Sequence, residues 1–388
     1  MRDLVRRIEA ATPPGRDRAT DALRALAILG VVLGHWLVTA LVTDSGTVRA
    51  ASPLRDMPHL APVSWLFQTL AVFFVVCGRV AAPGYASARA RGTTYGQWLG
   101  ARTARLWRPV TAVLGVWTVA AAVMLVSGVS PPTVYALLRL VLSPLWFLLV
   151  LMALTAATPL VARLHPLWPL AVVLHVDLVR FALGGPAWLG WVNLPAAWLV
   201  PYCLGAAWSR GELNGRVAAR VLLVGGCAAT ALLVLFAGYP ASMVGVPGAP
   251  VSNLDPPTLA AVTFGLAQCG AALLLLDPLR RACARPALWA AVALANLSAM
   301  TLFLWHQTAL LAVTATGLLA GRPLPGLHTV PDGPGWVPAR LAWLPVFAAA
   351  LLVCWMAFRG HEQRARGRTE VVRGGRGATR HRAEAGHV

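Results

Sequence analysis

Apolar residues in this chain gather in long runs, not in the alternating or three-to-four spacing of a domain that faces water on one side. Spanning about 30 Å of hydrocarbon takes roughly 20 helical residues. Ten runs of about that length stand out between Pro, Gly and Arg boundaries, at 21–42, 62–82, 109–129, 143–162, 167–183, 191–208, 217–238, 259–276, 288–318 and 341–358. The ninth is long enough to be tilted or broken. The pattern predicts an all-α fold, a polytopic membrane helix bundle of about ten transmembrane helices.

Arginine placement tests that count. Loops on the cytoplasmic side hold the positive excess, and the clusters at 89–108, 210–220 and 280–285 share one side with both ends of the chain. Arg49, Arg55, Arg139, Arg180, Arg322 and Arg340 fall on the other side, and Arg79 within the second run is left over. An odd number of spans would scramble this alternation, so both termini are expected in the cytoplasm. With 58% hydrophobic and 12% charged residues the chain is too apolar for a soluble fold. Basic residues number 33, all of them arginine, against 14 acidic ones. In a membrane protein such an excess reports orientation, so nucleic acid is not an expected partner and membrane lipid is. The lack of lysine hints at a high-GC, bacterial coding sequence, and the expected location is the bacterial plasma membrane.

The divisions are a cytoplasmic N-terminal segment at 1–18, a membrane domain at 19–358 and a basic tail at 359–388, which lacks the apolar content for a core and is expected to be disordered. The six cysteines show no paired spacing and read as reduced packing residues. No His, Cys and carboxylate cluster has ligand spacing, so no metal is implied.

Ionisable groups inside a bilayer are expensive and are functional candidates until a structural partner is found. Here they are His35, Arg79, His175, Asp177, Arg180 and His306, with Arg24 at the mouth of the first helix. Arg24 and His35 are eleven residues apart, which places them within roughly 20° of one helix face and about 16 Å apart along the axis. A guanidinium at the interface suits phosphate or carboxylate, and an imidazole at depth suits a general base. The plainer alternative pairs Arg24 with Asp21 and gives His35 a helix-bonding role. Asp177 and Arg180 read as mutually neutralising. Arg102, Arg105 and Arg108 form a basic stripe that is either ordinary anchoring or a phosphate-binding surface.

At these residues the sequence resembles acyltransferase family 3, the bacterial membrane O-acyltransferases that modify surface polysaccharides, lipid-linked glycans and some antibiotics. The stretch RATDALRALAILGVVLGHW resembles the family's opening element, an Arg and a His separated by ten residues, here Arg24 and His35. FFVVCGRV from Phe73 is similar to its FF-x-x-SG element with Cys77 in place of Ser. RTARLWRP from Arg102, PLWFL from Pro144 and LSAMTLFLWH ending at His306 are similar to later elements. The resemblance covers nearly the whole chain and implies transfer of an acyl group, commonly acetyl, from cytoplasmic acyl-CoA to a hydroxyl of a glycan, lipid-linked sugar or small molecule. It implies no permanently bound cofactor, with acyl-CoA as co-substrate. Arg24, Arg102, Arg105 and Arg108 would hold the donor phosphates, His35 would deprotonate the acceptor or relay the acyl group, and His306 would support it. No esterase-like extension follows the last helix.

Two other classes compete. A polyprenyl-phosphate-sugar glycosyltransferase would use acidic residues of the first outer loop, where Asp44 and Asp56 lie without a paired motif. A transporter or flippase needs intramembrane carboxylates, and only Asp177 qualifies.

Overall fold

The computed structural model describes residues 2–44 and 47–384, with side chains at 43–48 and beyond 360 left aside. Helix α1 (Arg2–Ala10) precedes α2 (Arg18–Val38), whose start is fixed by Asp17: its carboxylate accepts from the Thr20 N–H and hydroxyl. A short antiparallel hairpin follows, β1 (Ala40–Asp44) paired with β2 (Thr47–Ala51). One-turn helices α3 (Pro53–Asp56) and α4 (Ala61–Ser64) lead into α5 (Leu70–Ala90), and α6 (Tyr95–Val126) opens on a capping box of Thr94 and Gln97. Then come α7 (Pro131–Leu142), α8 (Leu145–Val161), α9 (Leu167–Asp177), α10 (Asn193–Ser209) and α11 (Arg216–Phe236). The chain finishes with α12 (Leu259–Leu274), α13 (Leu276–Ala282), α14 (Pro286–Leu297), α15 (Ala299–Gly317) and α16 (Trp336–Glu384).

All ten apolar runs carry helix, but they do not make ten equal spans. Among the described residues seven helical stretches are long and apolar enough to cross a membrane, or eight if the pair α12 and α13, bent by 46°, is one span. The fifth and sixth runs fall short. Helix α9 has 11 residues before a π-helical turn at Leu178–Ala182, and α10 has 17 after a 3-10 turn at Ala187–Val192. The Gly-Gly-Pro at 184–186 punctuates what hydropathy alone reads as nearly continuous. The ninth run breaks at Ser298 between α14 and α15. The backbone of α16 runs on as helix from the last apolar run to Glu384. The architecture is consistent with an all-α membrane bundle.

Glycines set the closest helix crossings, as expected where packing rather than hydrophobic burial joins helices in lipid. A Cβ on Gly205 of α10 would lie 1.9 Å from the Val75 carbonyl oxygen of α5, and one on Gly78 would lie 2.0 Å from that of Tyr202. The segment before α5 is threaded against α2 in the same way. The Thr69 hydroxyl donates to the Ala27 carbonyl at 2.6 Å, and Gly30 leaves the room that Thr69 fills. This interruption lets α5 begin beside the middle of α2, where the cavity described next reaches its deep end.

Candidate active site

A cavity of about 750 Å³ opens at the N-terminal end of α2 and runs inward between α2, α5, α6, α8, α14 and α15. Its charged wall residues are Arg16, Asp21, Arg24, Arg102 and Arg105, four guanidinium groups against one carboxylate. Asp21 is shared. Arg16 grips it through two nitrogens, at 2.5 and 3.0 Å, and Arg24 reaches it at 2.9 Å across one turn of α2. The Arg24 Nε–H donates to Asn296 of α14 at 2.6 Å, and the Asn296 amide donates back to the Asp21 carbonyl. The plainer pairing of Arg24 with Asp21 is therefore present, and it holds the guanidinium in the cavity wall. On the facing side Arg102 lies half-buried over the Trp98 ring at 4.7 Å, with no hydrogen bond to it among the described residues. A Cβ at Gly84 would meet its guanidinium at 2.8 Å, so the glycine makes its space. Arg105 also lines the cavity, whereas Arg108 is exposed and outside the wall. The stripe thus divides, with two of its three arginines turned to the cavity.

Helix α1 and the turn after it fold over this mouth, with Ile8, Thr12 and Pro13 in the wall. Arg18 binds Glu9 of α1 at 2.6 Å, and the Trp289 indole donates to the Thr12 hydroxyl at 2.8 Å. Asp17 pairs with Arg79 at 3.0 Å, whose guanidinium also stacks 3.7 Å over Trp208. The arginine left over by the loop alternation is thus tied to the cap of α2. Burial pushes the Asp17 carboxyl up, but the Thr20 hydroxyl and N–H and the Arg79 guanidinium outweigh it and hold it below the usual range.

The deep end is aromatic. Phe73, Phe147 and Phe303 line it, with the Phe147 ring centroid 5.0 Å from Phe73 and 5.2 Å from Phe303. Val31 is the last α2 residue in the wall, one helical turn before His35. Beyond the floor stands the histidine pair that the sequence left on separate helices. The rings of His35 and His306 are 5.0 Å apart, and Phe303 lies 6.0 Å from His306. His306 is fully buried. Its Nδ1–H donates to the Phe303 carbonyl at 2.6 Å, its carbonyl accepts the Trp36 indole N–H at 3.0 Å, and its Nε2 has no partner among the described residues. His35 keeps part of its surface open, and its Nδ1 lies 3.0 Å from the side-chain amide of Gln307. Gln307 and Asn296 carry no signal of their own in the sequence, since each acts on a residue some 270 positions away.

Asp177 is the best-satisfied of the other ionisable groups within the bundle, while Arg180 beside it has Nε and Nη1 buried without a hydrogen bond among the described residues and His175 is exposed. The Asp177 carboxylate accepts from Asn193 at 2.8 Å, the Tyr239 hydroxyl at 3.0 Å and the Leu259 N–H at 2.7 Å, with Arg180 at 3.8 Å, so it ties α9 to α10, α12 and the loop before α12. All six cysteines are free.

The family described as an acyltransferase domain matches residues 17–359, from the cap of α2 into α16. The chain belongs to that acyltransferase family. The match spans every element that builds the cavity walls except α1 and the turn after it. No curated protein and no solved structure matches the chain significantly. Family membership and the seven long apolar helices together make this a membrane acyltransferase.

Proposed function

We propose that the protein transfers an acyl group, most simply acetyl, from acyl-CoA to a hydroxyl of a glycan, lipid-linked sugar or small-molecule acceptor, and that the arginine-lined mouth faces the cytoplasm of a bacterial cell. The observation that carries this reading is the cavity itself: four arginines at its entrance, an apolar shaft, and a histidine pair one helical turn past its floor. The phosphates of coenzyme A meet Arg24, Arg102 and Arg105, where charge-assisted hydrogen bonds are strongest. The pantetheine arm lies along the shaft and brings the thioester to the aromatic floor. Phe303 separates the cavity from His306, so delivery of the thioester requires its ring to turn aside.

His35 takes the proton of the acceptor hydroxyl through a ring nitrogen as the oxygen attacks the thioester carbonyl. The tetrahedral intermediate collapses with cleavage of the carbon–sulfur bond. The proton held by His35 passes to the departing thiolate, which leaves as coenzyme A thiol, and an oxygen ester is formed. His306 packs against His35 and holds the ring between α2 and α15. Arg108, outside the cavity wall, contributes to long-range attraction of the donor at most.

Neutralising Arg102 and Arg105 together to Gln tests the donor end. Two lost contacts at about 1.5 to 3 kcal/mol each raise the acetyl-CoA concentration for half-saturation about a hundredfold or more, while acetyl-pantetheine, which has no phosphates, is used equally by both proteins. Equal loss with both donors would return the stripe to anchoring.

A further inference from the structure

The His35 and Gln307 contact contains more than a packing arrangement. Gln307 is fully buried, its amide nitrogen lies 3.0 Å from His35 Nδ1, and its Oε1 has no partner among the described residues. With the NH₂ group toward the ring, Nδ1 must accept, the single proton of neutral imidazole sits on Nε2, and no lone pair remains to take a proton from an acceptor. In that orientation the buried carbonyl oxygen has no donor among the described residues. A half-turn of the amide exchanges oxygen and nitrogen without moving the rest of the side chain. The carbonyl then accepts the Nδ1–H, and Nε2 carries the lone pair. After proton uptake Nδ1 still has its acceptor.

We propose that Gln307 is a positioning residue, whose side-chain carbonyl holds the Nδ1–H of His35 and thereby makes Nε2 the nitrogen that receives the acceptor proton. The inference rests on the reading of His35 as the base. His306 does not make this contact: its Nδ1–H is held by the Phe303 carbonyl, and Gln307 is the side chain at His35 Nδ1. In the serine protease triad the corresponding partner is a carboxylate. In a bundle surrounded by lipid a buried carboxylate is costly, and a neutral amide supplies the same orientation without a charge.

The test uses full-length protein in lipid nanodiscs, measuring transfer from labelled acetyl-CoA to a cell-envelope extract as a function of pH. Gln307→Glu places a carboxylate against Nδ1–H, which favours the protonated ring, so the acidic limb of the rate profile moves up by about one pH unit or more. Gln307→Leu keeps the bulk but removes the acceptor. It lowers kcat about tenfold to a hundredfold, at or below the low end of the roughly 10² to 10⁴ ascribed to general-base catalysis because the base itself remains, at unchanged half-saturation by acetyl-CoA. Thermal stability is followed in parallel, and Gln307→Leu stands alone should the glutamate variant fail to fold. A merely structural glutamine predicts the opposite pattern in Gln307→Leu, with lower stability but wild-type kcat per folded molecule, and that result overturns the proposal. His35→Gln separates the two levels. An inactive His35→Gln protein beside unaffected Gln307 variants rejects Gln307 alone, whereas a fully active one rejects the base assignment and this inference with it.

Discussion

Arg340 and Arg102 stand near opposite ends of α2 and use the same side chain in opposite ways. Arg340 is 1% exposed and donates to three backbone carbonyls, those of Trp36, Thr39 and Gly326, while its guanidinium lies over Phe347 at 4.7 Å. It stitches the end of α2 to the start of α16. Arg102 lies on an indole in a cavity wall, with no hydrogen bond to it among the described residues. The same contrast separates Asp177, whose carboxylate is filled by three donors, from the site of the histidine pair, where His306 Nε2 and the neighbouring Gln307 Oε1 have no partner among the described residues. Charge at depth is therefore not the mark of a site. What marks one is polar capacity left unfilled beside open space.

The largest effect expected from this contrast is at His35. Exchange for Gln keeps size and hydrogen bonding but removes the base, so turnover falls by a factor of roughly 10² to 10⁴, with thermal stability in detergent close to wild type. Next in size is the exchange of roles between the two arginines. Arg340→Met leaves backbone carbonyls buried without a donor, at about 1 to 3 kcal/mol for such a group, and lowers the unfolding midpoint while kcat per folded molecule stays the same. Arg102→Met changes stability by no more than about 0.5 kcal/mol and weakens donor saturation instead. Should both variants lose stability equally, the comparison collapses. The smallest effect concerns the cap of α2. Because the folded-state pKa of Asp17 is depressed, its contribution is present above the unfolded carboxylate value and lost as pH falls through the folded one. Wild type should lose a little thermal stability below about pH 4 that an Asp17→Asn protein, already lacking it, does not lose.

The sequence shows the helices more readily than their ends, for a physical reason. Hydropathy reports burial in lipid or protein alike, so α9 and α10 read as full spans although Gly184, Gly185 and Pro186 interrupt them. The hairpin of β1 and β2 lies in a segment that a search for long apolar runs passes over. Within the candidate site, helical periodicity alone put Arg24 and His35 on one face of α2, because both lie on one element and 3.6 residues per turn fixes their relation. That His306 lies beside His35, that Gln307 rather than His306 touches its Nδ1, and that Asn296 steadies Arg24 all depend on how α14 and α15 cross α2. Local pattern does not encode that crossing. Arg108 shows the limit from the other side: spacing by three put it with Arg102 and Arg105, but its side chain is exposed outside the cavity wall.

The central claim is that acyl-CoA is the donor and a hydroxyl the acceptor. It is tested most directly by incubating the nanodisc protein with acyl-labelled acetyl-CoA and a cell-envelope extract while counting both released thiol and label in alkali-labile ester. The account predicts one thiol released for each ester formed, with neither product above background in the His35→Gln protein. Ester formation that persists in that variant, or no thiol release from acetyl-CoA by the wild-type protein, would contradict it.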